Sequence, residues 1–163
     1  MIVYVDTNVI SQAVRGARKG ARRRMREDGR RLLRLMREGR HRGVIAPFGI
    51  MEIEATPDAH LVRRMLKELK RSRVERVSVA APMDVEALAE LYLSRQVVRP
   101  KAVGDAHHLA WATLAGADVM ASWNRRDLVR LNTRQRVAII NVALGYKPVL
   151  IQTPTEVLDE WRE

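Results

Sequence analysis

Residues 1–10 read MIVYVDTNVI. Ile2, Val3, Tyr4 and Val5 form a short apolar run rich in β-branched side chains, as expected of a strand buried on both faces of a parallel sheet. The run stops on a carboxylate, Asp6. Thr7 and Asn8 are poor strand formers and good helix caps, and Val9, Ile10 and Ala13 resume apolar spacing at a helical period. The stretch therefore predicts a strand, a turn and a helix, with Asp6 at the strand's carboxyl end. Ligands of open α/β sheets bind along that edge. A carboxylate there is a candidate metal ligand or acid/base group, beside its simpler role as a helix cap.

The same alternation continues along the chain. Val44 to Ala46 is a second short strand, and Pro47 turns the chain into Phe48-Gly49-Ile50-Met51-Glu52-Ile53-Glu54. On a helix Glu52 and Glu54 point in different directions, so only one of them can face Asp6. A helix runs from Asp58 to about Lys70, and Val74 to Val79 is strand-like, closed by Ala81-Pro82. A further helix covers Met83 to about Gln96. After the loop Val97 to Gly104, Asp105 opens the most apolar helix, at or near its N-cap. Asp118 to Ser122 is another strand that runs into polar residues, Trp123, Asn124, Arg125, Arg126 and Asp127, repeating the pattern of the first. Helix follows from Leu128 to Asn141 with a break near Asn132-Thr133, then a last strand at Val149 to Ile151. A short terminal helix has Pro154 at its first position. This order predicts an α/β fold: a mostly parallel central sheet of about five strands with helices on both faces and the loops gathered along the carboxyl edge. The 163 residues make one domain, 1–163, of the usual size.

There is no cysteine, which excludes disulfides and thiolate zinc sites. The opening apolar run lacks a basic leader, and no run approaches the roughly 18 apolar residues of a membrane span, so a cytoplasmic protein with no membrane partner is expected. The net charge is +11. Between Arg15 and Arg42 stand thirteen basic and three acidic residues, so this one segment, which includes Arg18 and Lys19, holds ten of the eleven net charges. Met25, Leu32, Leu33, Leu35 and Met36 give it a narrow apolar stripe, so it reads as a basic helix with one buried face. Such concentration predicts a phosphate-tracking surface, with Arg22, Arg23, Arg26, Arg30, Arg34 and Arg37 as its nucleic-acid contacts, over a merely solvated face. The stripe has no Trp or Phe, which argues against a membrane surface. One Phe, three Trp and three Tyr are too few for a series of base-stacking platforms.

Asp6, Asp105 and Asn124 all fall where a strand ends or the following helix starts. Clustered carboxylates without thiols favour Mg²⁺ or Mn²⁺ over zinc. Beside a strongly basic surface they point to metal-dependent hydrolysis of phosphodiesters. At full length, through VDTNVI, MEIE, PKAVGDAHHLAWA, DVMASWNRRDL and GYKPVLIQTPTEV, the chain resembles PIN-domain ribonucleases, and among them the VapC-type toxins of toxin-antitoxin pairs. The resemblance maps the family's metal-binding aspartates onto Asp6 and Asp105 and its mid-chain glutamate best onto Glu52, with Glu54 as the alternate. Where the family usually carries a fourth acid this chain has Asn124, which removes one negative charge. The resemblance also implies RNA as substrate, an antitoxin protein as partner, and a homodimer.

From their chemistry Asp6 and Asp105 would hold the metal, Glu52 would orient or deprotonate the attacking water, and Asn124 would position a water in the metal's shell. Thr7 and Asn8 would anchor the loop. Asp127 reads as a helix cap within reach of the site. His108 shares the helix face of Asp105, although a buried helix histidine usually satisfies a carbonyl, and Trp123 reads as a packing wedge. Two other functions fit less of the pattern. A non-catalytic RNA-binding module would keep the basic surface around an incomplete metal site. A phosphohydrolase using Asp6 as nucleophile would need a well-placed lysine that the sequence does not offer.

Overall fold

A computed structural model describes residues 1–16, 20–78 and 82–160. Five strands, β1 (Ile2–Val5), β2 (Arg42–Ile45), β3 (Glu75–Arg76), β4 (Val119–Ala121) and β5 (Leu150–Gln152), pair all-parallel in the order β3-β2-β1-β4-β5. The helices are α1 (Thr7–Val14), α2 (Gly20–Arg37), α3 (Pro47–Glu54), α4 (Ala59–Arg71), α5 (Pro82–Ser94), α6 (Val103–Leu114), α7 (Leu131–Ala143) and α8 (Pro154–Glu160). Successive strand side chains point to opposite faces, so β1, β2 and β4 each feed two cores. Val3, Val5, Ile45, Val119 and Ala121 bury against Val9, Ile10, Leu32, Leu33, Ile53, Met65 and Val157, from α1 to α4 and α8. Tyr4, Val44, Met120 and Ile151 bury against Leu88, Tyr92, Leu109 and Val137, from α5 to α7. The α/β architecture with helices on both faces is the one expected.

The chain moves outward from β1 through β2 to β3, then crosses back to β4 on the other side of β1. Its direction therefore reverses between β1 and β4, and the crevice at the carboxyl ends of those two strands is where such sheets bind ligands. Val5 is in register with Ala121, so Asp6 and Ser122 leave the sheet side by side, and the Asp6 N–H donates to the Ala121 carbonyl at 3.1 Å.

Helix α2 runs from this edge to the opposite one. At its middle, Asp28 accepts a hydrogen bond from the Oγ1 of Thr155, which is in the first turn of α8 just past β5, at 2.6 Å. Its far end seats on β2 at Gly43, where a Cβ would lie 2.5 Å from Met36 Sδ and 3.2 Å from a Val74 methyl; only a glycine admits that approach.

Three details depart from expectation. The third strand is only Glu75–Arg76, both exposed on the sheet edge; Val79 and Ala81 lie outside the described residues, as do Arg18 and Lys19. The seventh helix begins at Leu131, because 125–130 form turns in which Asn124 accepts backbone N–H groups. The break expected at Asn132-Thr133 is absent. Thr133 is buried with its hydroxyl between the carbonyls of Val97 at 3.0 Å and Asp127 at 2.8 Å, which ties the helix start to two loops. At the last helix, Thr153 and Glu156 form a reciprocal capping box, with Glu156 N–H on Thr153 Oγ1 and Thr153 N–H on Glu156 Oε2. No helix among the described residues is long and apolar enough to cross a membrane.

Candidate functional site

Asp6 is 3 % exposed and caps α1. It does more than cap. Oδ2 accepts from Asn8 Nδ2 and from Ser122 Oγ, both at 2.6 Å, while Oδ1 takes longer bonds from the Asn8 N–H (3.3 Å) and the Thr7 hydroxyl (3.2 Å). Ser122, fully buried at the end of β4, is the hub: its oxygen also accepts from Asn8 Nδ2 and from the Asn124 N–H, each at 3.0 Å. Asn8 Oδ1 in turn accepts the Trp123 N–H at 2.9 Å. The loops after β1 and β4 are thus stitched together around one carboxylate.

Asp105 lies in the first turn of α6, but the helix is capped at Ala102 without any side-chain bond, so capping is not its role. Its Oδ2 instead accepts from Asn124 Nδ2 at 2.9 Å. The other end of the Asn124 amide accepts the N–H groups of Arg126 and Asp127, each at 3.1 Å, which closes a turn and fixes which way the amide points. Burial pushes the Asp105 carboxyl up to about 6; the Asn124 bond opposes that shift, and the charges of Asp6 and Asp127 add to it. Among the described residues no Lys or Arg forms an ion pair with Asp105.

Glu52, half-buried on α3, accepts from His108 Nε2 at 2.7 Å and from the Thr7 hydroxyl at 3.0 Å. Burial would raise its carboxyl, yet the His108 bond and charge and the Thr7 bond outweigh that and hold it below the usual glutamate range. His108 is buried, with Nδ1 2.7 Å from the Tyr4 hydroxyl and its ring edge-on to Tyr4 and Phe48. A carboxylate only accepts, so Nε2 carries the proton toward Glu52, and in the neutral ring Tyr4 donates to Nδ1. Burial lowers the imidazole's affinity for a second proton, but the Glu52 bond and the charges of Asp6, Glu52 and Asp105 more than offset it and raise the pKa.

The crevice therefore brings together Asp6, Asp105, Asn124 and, through Thr7 and His108, Glu52. It leaves out Glu54, which is exposed on the far side of Ile53. Asp118 is at the opposite edge, accepting the Ile2 N–H at 2.6 Å and paired with Lys147. Asp127 lends its charge to Asp105 while its own oxygens are taken by Arg99 at 2.5 and 2.7 Å. Ser122, Tyr4 and the use of His108 were not evident in the sequence. On α2 the arginines divide along the helix: Arg22, Arg23 and Arg26 are on the same turns as Ala21, Arg24 and Met25, which line a cavity with Trp123, whereas Arg34 and Arg37 are on the last turns, around Met36 and its contact with Gly43. Arg23 is ion-paired with Glu27 at 2.7 Å, and Arg30 Nε donates to the Ala13 carbonyl at 2.9 Å.

Among the described residues no three acidic or histidine side chains close into a preformed metal cage. Asp6 and Asp105, both within reach of the His108 charge, present hard oxygen donors, the type that a divalent ion such as Mg²⁺ takes. No protein-family model matches the chain, and no curated protein matches it.

Proposed function

We propose that this chain is a metal-dependent endoribonuclease of the PIN-domain type, cutting RNA at the β1/β4 crevice. The observation that carries it is the pair Asp6 and Asp105 at the sheet's switch point: burial and the charge of Asp6 raise the Asp105 carboxyl to about 6, against the opposing charge of His108, and among the described residues no Lys or Arg is ion-paired with it. Such a pair is stabilised by an added divalent ion. Mg²⁺ or Mn²⁺, when bound, supplies charge for the scissile phosphate and a more acidic water. Asp6 and Asp105 hold it. Asn124 aims Asp105, and Ser122 and Asn8 aim Asp6. Glu52, kept ionised by His108 and Thr7, orients the attacking water and takes its proton as the new P–O bond forms and the ester P–O bond breaks; the leaving oxygen is protonated from solvent. The arginines at the start of α2, with Arg125 and Arg126 after β4, hold the flanking phosphates. On this proposal the protein is the toxin of a toxin-antitoxin pair, works in the cytoplasm as a homodimer, and is silenced by an antitoxin that covers the acidic edge.

One observation favours a second reading. The position after β4 that could have supplied a further acid is Asn124, and a basic module that binds RNA without cutting it needs no metal cage.

Cleavage of a labelled structured RNA in Mg²⁺, Mn²⁺ or EDTA separates the two. The nuclease cuts only with metal, and Asp6→Asn and Asp105→Asn both abolish cutting while RNA binding persists. If the folded natural protein binds RNA and cuts nothing in either metal, the binding module is correct.

A further inference from the structure

Trp123 links two parts of the carboxyl edge. Its N–H is held by Asn8, its chain neighbour Asn124 holds Asp105, and its ring packs against the core beneath β1 and β4. The same residue lines a cavity of about 500 Å³ together with Ala21, Arg24 and Met25 of α2, Arg125 of the following loop and Thr155 of α8. That volume is within the usual range for a small-molecule site and far below what a folded duplex needs. The lining is not the acidic crevice, but it adjoins it, since neighbouring Cα atoms are only about 3.8 Å apart.

The lining has a definite chemistry. Ala21, Met25 and the indole of Trp123 are apolar and offer a slot for a flat ring. Arg24 is largely exposed, with only Asp28 at 3.7 Å as a loose partner, and no ion pair of Arg125 is formed among the described residues. Thr155 spends its hydroxyl on Asp28. The indole Nε1–H is buried with no acceptor among the described residues, an arrangement that costs stability unless an oxygen is supplied. An aromatic wall between two guanidinium groups suits a group that is flat at one end and anionic at the other.

We propose that this cavity is a nucleotide subsite, taking the base of one unpaired ribonucleotide against Trp123 and its phosphate between Arg24 and Arg125. It rests on the ribonuclease proposal and adds to it a preference: the strand must be single at the position beside the cleaved bond. The sequence favours a packing wedge over a base-stacking platform for Trp123, and the structure adds the cavity that a stacked base would occupy.

The test is equilibrium binding of a short labelled single-stranded oligoribonucleotide in EDTA, where cleavage does not contribute. Arg24→Ala with Arg125→Ala is expected to weaken binding on the order of tenfold and to reduce the salt slope by about 0.7, the value for one single-strand phosphate. Arg34→Ala with Arg37→Ala removes the same charge from the same helix at the far edge and should move both quantities much less. Trp123→Ala should weaken binding on the order of tenfold and Trp123→Phe should retain most of it. Equal effects of the two arginine pairs, or a Trp123→Ala protein that is folded by circular dichroism and binds normally, would overturn the subsite. So would failure of the natural protein to bind the oligonucleotide. Because binding is read without metal, the two proposals fail separately. A protein that cuts RNA yet binds equally well without Arg24 and Arg125 has lost the subsite alone; one that never cuts but loses binding with them keeps it.

Discussion

Asp105→Asn should make the metal-free protein more stable while abolishing its cleavage. The carboxyl of Asp105 moves from its ordinary 3.8 to about 6 on folding, roughly two units. Each unit is about 1.36 kcal/mol, which sets a ceiling near 3 kcal/mol on the cost of keeping it ionised. The group is only half-buried, so solvent screening reduces the expected gain to about 1–2 kcal/mol. The native carboxyl is the more basic one. Above about pH 6 both states are ionised and the native state bears the cost; between about pH 6 and 4 only the native state binds the proton, so acidification stabilises the natural protein. The near-isosteric amide carries no charge, and its oxygen still accepts from Asn124. Urea unfolding in EDTA at about pH 7 and again near pH 4 measures both parts: the variant leads at the higher pH, and the lead shrinks at the lower. Added Mg²⁺ should then stabilise the natural protein and not the variant, since only a ligand that binds the native state shifts the equilibrium. A variant no more stable than the natural protein at neutral pH in EDTA would refute the assignment of Asp105 as an ionised group that costs stability. Asp6→Asn should behave oppositely, because Asp6 is the acceptor of four hydrogen bonds that an amide would disrupt.

Ser122→Ala strips one buried hub of its bonds to Asp6, Asn8 and Asn124 and should cost about 1–3 kcal/mol in denaturant unfolding. Tyr92→Phe, which frees Thr113 and Asn141 in the core behind α5, should cost a similar amount, about 1–2 kcal/mol. Only Ser122→Ala should also lower cleavage per folded molecule; equal losses of activity would deny Ser122 its place at the site. His108→Gln should flatten the alkaline limb of the stability profile. The raised imidazole contributes stability that is complete below its ordinary 6.5 and is lost as pH rises through the folded value, and thermal melts from about pH 6 upward should show natural protein and variant converging. Parallel curves would mean that the imidazole is not charged against Glu52.

Strand and helix order was legible because both periods are strong here. β1 is a β-branched run that stops at Asp6, and α6 is an apolar run opened by a loop ending in Gly104. The two-residue β3 was not legible in extent. An exposed edge strand has no buried face to impose alternation, and its pairing depends on Val44 and Ile45 being beside it. The start of α7 was misplaced for a related reason. Leu128 is buried and looks helical by spacing, yet it belongs to a turn whose geometry is set by the Asn124 side chain rather than by propensity.

Position alone puts Asp6, Asp105 and Asn124 at strand ends or helix starts, and the family resemblance prefers Glu52 to Glu54, but how the four are wired could not be read. Ser122 reaches Asp6 only because β4 crosses back to lie beside β1, a choice made by the whole sheet. Its spacing along the chain, 116 residues from Asp6, carries no local trace. His108 is legible as a neighbour of Asp105 on one helix face, whereas its contacts with Tyr4 and Glu52 require β1, α3 and α6 to be placed at once.

The amide at position 124 then acquires a physical meaning. It donates to Asp105 with one end and accepts two backbone N–H groups with the other, which no carboxylate can do, since a carboxylate only accepts. An aspartate there would keep the turn but set a further negative charge, without a donor, against a carboxyl already raised by burial, Asp6 and Asp127. It would push Asp105 higher still in the metal-free state and make the site more dependent on a cation for folding. Asn124 holds Asp105 without adding a charge, which keeps the crevice assembled in the metal-free protein. Its hydrogen bond is one of the few forces that favour the ionised form of Asp105, the form a divalent cation needs.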